Sequence, residues 1–409
     1  MENDVPQIVQ FAAGGTFLSL SGRIVRVWQL PAPDPRTDLK LGRVTGAVAS
    51  PDGSTVVTVH NFNKVHVTRV RAPDGAWLSP KHVGRVILDA EALTASALLT
   101  TDVGGLVHVA NLASKEVSDF DFSAIKPITV AAIDQASSRI AVAGKNGTVR
   151  VLSTSNPATP RDFNCNEMVR WLFFDRASTR LTAVCSDRIV FWGLADGANE
   201  PAEVLLAKVV RCTARDEQHQ FLLTGCTDGQ LFDWDLASGI ARRQPVACND
   251  EVARLCIAPG GVLVAIANMS NVVRVWDIDQ ATPVSPALPH SDSVLDMCFD
   301  STRRLIATAS RDRLVRVWDA RTGELVCQIS TGDHIPLVCR FANADRDLIV
   351  VDDAGGIVSC GMAPDTRSLQ SIELDSKLRS GHIVDARGGL TPLSIQQTIE
   401  DWRLKSPSK

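Results

Sequence analysis

One motif recurs along almost the whole chain, and its spacing decides the fold class. Three segments read apolar-x-apolar-Trp: Val25-Arg26-Val27-Trp28, Val273-Arg274-Val275-Trp276 and Val315-Arg316-Val317-Trp318. Degenerate copies fill the intervals, among them Val65-His66-Val67-Thr68, Val149-Arg150-Val151-Leu152 and Leu231-Phe232-Asp233-Trp234. With the fourth residue of each copy as anchor, the positions are 28, 68, 110, 152, 192, 234, 276, 318 and 360, and every step is 40 or 42 residues. A shared period of this kind marks a repeat architecture.

Each copy carries the same sub-pattern. An apolar run such as Val294–Phe299 precedes a second, such as Leu305–Ala309, and a tight turn leads into the anchor segment. The turns Gly104-Gly105, Asn146-Gly147, Asp228-Gly229 and Gly355-Gly356 suit two-residue hairpins, which need positive φ. A weaker fourth run often follows, as in Leu325–Ile329. Gly and Pro punctuate the intervals and exclude long helices there. Four short strands in about 42 residues make one propeller blade. The expected fold is therefore all-β, a propeller of about nine four-stranded blade-like units over residues 1–362. A seven- or eight-bladed closure is an alternative. In one version the first two units are left over; in another Val5–Val9 supplies a closing edge strand.

The residues resemble the WD-repeat β-propeller family. The dipeptide that names it occurs at Trp234-Asp235, Trp276-Asp277 and Trp318-Asp319. The copy around Trp318 is the best match. The resemblance implies a structural tetrad of His290, Thr308, Asp312 and Trp318, hydrogen-bonded from His to Asp and from Thr to Trp. The copy ending at Trp234 keeps Thr224 and Asp228 but lacks the histidine, and Ser270 replaces the aspartate in the copy ending at Trp276.

After Met362 the strand pattern stops. Leu369, Ile372 and Leu378 have roughly helical spacing, and Ser394 with Gln397 fits a capping box ahead of Ile395, Ile399 and Trp402. Residues 363–409 are thus expected to form a helical tail packed on the propeller. The run from Leu378 to Leu393 is also similar to the C-terminus of bacterial, planctomycete-type proteins that join a serine/threonine kinase to WD repeats. The kinase motifs themselves are absent from this sequence.

Composition narrows the function. Of 409 residues 45% are hydrophobic and 22% charged, a profile of folded protein, and the net charge of −4 offers no basic field to nucleic acid or an anionic membrane. No apolar run approaches the ~20 residues of a membrane span. The acidic start Met1-Glu2-Asn3-Asp4 does not read as a secretory signal. Ten cysteines without metal-ligand spacing read as buried thiols of a reducing, cytoplasmic setting.

Catalytic and metal chemistry finds little support. The eight histidines are scattered, and no Gly-x-Ser-x-Gly elbow occurs. His66 and His108 share a slot with Arg26, Arg150, Arg274 and Arg316, read as solvent-facing. Asp187, Asp228 and Asp312 sit in turns, as does the Asp352-Asp353 pair, read as solvated. Trp77 lies in a connecting stretch, where an exposed contact and strand-edge packing fit equally. The sharper constellation is Arg170, Arg211 and Arg254, placed alike in three successive units, with Asp296 in the next. In the family this slot lies near the upper face, so the resemblance implies a partner-binding arc suited to acidic groups. Surface ion pairing with Asp216, Glu217, Asp250 or Glu251 is the plainer alternative. The reading is a non-enzymatic protein-interaction scaffold without cofactor, with a regulatory module of a kinase acting in trans as the alternative and a propeller enzyme as the third.

Overall fold

The computed structural model describes residues 105–362 apart from 112–116, 135–137, 196–200, 207, 217–220 and 249; before these it describes strands between 7 and 101, and after them two strands at 382–384 and 390–392. The described part is all-β. Nine antiparallel sheets of three to five strands follow one another, and they are numbered here as units. Unit 1 spans 7–29, unit 2 44–78, unit 3 97–121, unit 4 128–164 and unit 5 171–205. Unit 6 spans 210–247, unit 7 252–289, unit 8 294–330 and unit 9 336–361.

Within each unit the strands pair in chain order as a meander, with the single exception of an extra pairing in unit 7. Each anchor stands on the third described strand, or in unit 3 the second, and faces the strand before it: Phe17 opposes Trp28, Leu98 opposes Ala110, Leu222 opposes Trp234, Ile306 opposes Trp318 and Leu348 opposes Cys360. In unit 5 Leu181 opposes Trp192, a hairpin one residue shorter than its neighbours, which accounts for part of the 40-residue step. Trp77 belongs to the strand Ala72–Leu78, the fourth of unit 2. Gln7–Val9 pairs with Thr16–Ser21 inside its own sheet, so it does not close another unit.

The apolar core is divided into clusters, and each cluster straddles two units. Val151 and Leu181 share one between units 4 and 5, and Phe191 and Trp234 one between units 5 and 6. The series continues through units 7, 8 and 9. Unit 9 then packs on unit 2, where Val56 meets Val338, Ile349, Val351 and Ile357. Sheets stacked face to face bury both of their apolar surfaces.

The two tail helices expected over 364–381 and 393–402 lie outside the described residues. Between them His382–Val384 pairs with Leu390–Pro392 as a short hairpin, which helical periodicity did not anticipate. No helix among the described residues is long and apolar enough to cross a membrane.

Candidate functional site

The expected tetrad is assembled in unit 8, with one change of wiring. Trp318 Nε1 donates to Thr308 Oγ1 at 3.1 Å, and His290 Nε2 lies 2.8 Å from the same oxygen. His290 Nδ1 is 3.1 Å from the Leu288 carbonyl, which can only accept. Nδ1 therefore carries the proton and Nε2 receives the Thr308 hydroxyl. No bond joins His290 to Asp312 among the described residues. Instead Asp312 accepts from Ser291 N at 3.0 Å and from Arg316 Nη1 at 2.8 Å. Burial opposes its ionisation, but these donors hold its carboxyl below the usual range. Unit 6 keeps a remnant, Trp234 Nε1 donating to Thr224 at 3.0 Å.

The slot read as solvent-facing is not so. Arg316 and His108 are buried, and His108 Nδ1 sits 2.7 Å from Asp119. Arg150 is paired with Asp162, while Arg274 alone of these three arginines is exposed. Asp352, expected in a solvated turn, is also buried; its Oδ1 accepts from Ala354 N and Gly356 N and so ties the hairpin together.

The arginine arc is resolved into two positions. In most described units the first strand begins with a buried residue followed by a β-bulge, as between Val210 and Cys212, Val252 and Arg254, and Val294 and Asp296. Counted from the buried residues Val169, Val210, Val252 and Val294, Arg170 and Arg211 come first after it, whereas Arg254 and Asp296 come second. The four do not fall at one equivalent place.

Each of them reaches the neighbouring unit. Arg170 Nη1 donates to the Val210 carbonyl at 2.9 Å, its guanidinium 4.9 Å from the Trp171 ring. Arg211 pairs with Glu251 at 3.2 Å, as the plainer alternative anticipated. Arg254 donates to the Leu295 and Ala253 carbonyls and meets no carboxylate among the described residues. Asp296 is committed internally: it accepts from Cys339 N at 2.9 Å and is ion-paired with Arg340, clamping unit 8 to unit 9. It presents no free carboxylate to a partner.

Around the arginines lie apolar side chains that the sequence reading passed over. Met168 and Val209 stand two residues before Arg170 and Arg211, and each is 42% exposed. Met269, 49% exposed, lies in the adjoining hairpin with its Sδ 3.9 Å from Arg211 Nη2. These residues occupy the end of the sheets where first strands begin and second strands turn back, called here the upper end. The same spacing from the buried valine would have found Met168 and Val209.

No cluster of three metal-ligating side chains occurs among the described residues. All ten cysteines are free, and burial pushes the thiols of Cys212, Cys226, Cys248, Cys256 and Cys360 up to about 12. Such thiols stay protonated and are poor nucleophiles near neutrality.

The unit that carries His290, Thr308, Asp312 and Trp318 decides the kinship. The family model for the WD domain, G-beta repeat, matches residues 285–319. This stretch is a WD40 repeat. Among solved structures, Saccharomyces cerevisiae Sqt1 is similar with a TM-score of 0.63 at 15% identity, over 80% of this chain and 98% of that one. The computationally designed protein Ika8 is similar with a TM-score of 0.61 at 16% identity, over 79% and 97%. At these identities the likeness speaks for the fold alone, an all-β, propeller-like succession of antiparallel sheets. No curated protein matches the chain.

Proposed function

We propose that the protein is a non-catalytic scaffold that binds a protein partner through the upper end of units 5 to 7. The observation that carries this reading is the mixed patch there: exposed Met168, Val209 and Met269 set among Arg170, Arg211 and Arg254. Apolar anchors beside guanidinium groups suit a segment that alternates acidic and apolar residues. Rigid stacked sheets present such a patch without ordering cost.

The ring is read as eight units, 2 to 9, closed where unit 9 meets unit 2; the Val56 cluster supports this. The ten free thiols favour a cytoplasmic home. The likeness of residues 378–393 to the tails of kinase-linked repeat proteins makes a bacterial serine/threonine kinase, or its substrate, the partner to try first.

The test is a display selection of random peptides against the purified protein. Enrichment of acidic-apolar peptides is expected, with affinity falling as salt rises. The double variant R211E/R254E should lose these peptides and keep its melting temperature, since neither side chain is buried. Neutral or basic peptides, or unchanged binding by the double variant, would overturn the reading.

A further inference from the structure

The first three strands of units 7 and 8 share one register, so their residues correspond at an offset of 42, and Trp276 opposes Val264 as Trp318 opposes Ile306. In unit 8 His290, Thr308, Asp312, Arg316 and Trp318 form one bonded block. The corresponding residues of unit 7 are Cys248, Ile266, Ser270, Arg274 and Trp276. Two of these changes remove volume, His to Cys and Asp to Ser, while Thr to Ile adds some. Close-packed interiors do not absorb such losses freely. A cavity of about 210 Å³ lies at this place, lined by Cys248, Asp250, Ile266, Arg274, Trp276 and Ala287 among others.

The same substitutions leave polar groups over. Arg316 has Asp312 at 2.8 Å, but Arg274 faces Ser270 at that position and makes no ion pair or hydrogen bond with its side chain among the described residues. Trp318 Nε1 has the Thr308 hydroxyl, whereas Trp276 has Ile266 in its place. Ser270 has turned to Asp250, donating to its Oδ2 at 2.6 Å. The cavity thus holds a guanidinium fork and an indole N–H without internal acceptors, a carboxylate to one side, the Asn268 amide, whose oxygen is taken by Val272 N, and otherwise apolar walls.

We propose that this cavity binds a small organic carboxylate bearing a hydrogen-bond donor, of the α-amino or α-hydroxy acid class. The ligand carboxylate takes the Arg274 fork and the Trp276 N–H, in the place of the missing aspartate and threonine. Its amino or hydroxyl group donates to Asp250. The space matches about seven waters at about 30 Å³ each, so it suits molecules of lactate, alanine or malate size. Cys248 acts as wall and not as nucleophile, since burial pushes its thiol up to about 12. The site is separate from the acidic-partner reading of the upper patch and stands or falls without it.

The test is a thermal-shift and titration-calorimetry panel on the full chain. It uses lactate, alanine, malate and aspartate, with propionate as the carboxylate that lacks a donor and inorganic phosphate as a general anion. At about 10 mM at least one donor-bearing acid should raise the melting temperature by about 2 °C and bind more tightly than propionate or phosphate. R274M should weaken that binding by about tenfold or more, with the fold kept because Arg274 is exposed. S270D should give Arg274 an internal carboxylate and abolish binding. The proposal is overturned if no donor-bearing acid binds, if phosphate binds equally well, or if R274M binds as wild type does.

Discussion

At the level of single residues, unit 8 shows why one hydroxyl governs a blade. Thr308 is fully buried and accepts from Trp318 while its own proton goes to His290. Replacing it by Val keeps the shape and strands the indole N–H, a loss of about 1–3 kcal/mol. T308V should unfold at correspondingly lower denaturant with an unchanged m-value, and T224V in unit 6, which serves only Trp234, should cost less. His290 adds a pH dependence. Burial, with Arg316 nearby, lowers its pKa from 6.5 to about 4. The folded protein therefore holds His290 neutral while the unfolded chain takes up a proton below pH 6.5. Stability is fully present above 6.5, declines as pH falls toward about 4, and levels off below it. Denaturant melts across that range should show the decline in wild type and a smaller one in H290Q. The four tetrad residues were named from the resemblance to the WD-repeat family. Their wiring was not legible in the sequence: Asp312 satisfies the backbone of Ser291 and not the ring of His290, and such side-chain-to-backbone exchanges leave no mark in residue types.

At the level of strands and turns, the hairpins show both what local chemistry reveals and what it hides. The turns before the third strands place Gly105, Gly147, Gly229 and Gly355 at positive φ as expected, but the hairpins are not the two-residue ones expected: five residues separate the paired Ala143 and Val149, and Gly225 and Leu231. Asn271 and Arg313 take the same position without glycine, at φ 61° and 69°. Arg313 bears the strain of the left-handed region, and its one ion pair among the described residues, to the nearly fully exposed Asp333, is weak. R313G should therefore be neutral to stabilising by up to about 1 kcal/mol. G147A should be clearly destabilising, because a Cβ there would lie 2.5 Å from the Glu167 carbonyl oxygen as well as at φ 85°. Equilibrium unfolding of the two variants checks the contrast. The bulges at the start of the first strands were not legible. A bulge adds a residue without changing the repeat length, so counting alone placed Arg254 level with Arg211 when it lies one position further on. The same shift turns Asp296 toward unit 9, where it meets Arg340. D296A should cost about 3 kcal/mol by leaving that guanidinium without its partner at a largely buried site, and the D296L/R340L pair should recover most of the loss.

At the level of the whole molecule, cohesion comes from interfaces between units and not from a single core. The sequence period announced the units because each must present two apolar faces at the same residues. It could not announce which unit meets which, since all of those faces are alike. The packing of unit 9 on unit 2 is the observation that bears on the order: Val351 and Ile349 share a cluster with Val56, and on the eight-unit reading proposed above the ring closes there without unit 1. Deletion of residues 1–43 is then expected to leave a single cooperative transition with a melting temperature within about 3 °C of the intact chain. V351D, which buries a charge in that seam, should behave differently. Val351 is fully buried, and an unpaired carboxylate there opposes the contact that joins the two ends of the array. Its unfolding should lose cooperativity, with units 2 and 9 exchanging amide protons ahead of units 5 to 8. If unit 1 were instead a member of the ring, the deletion and not the seam variant would produce that pattern, so hydrogen exchange on the two proteins side by side tells the two closures apart.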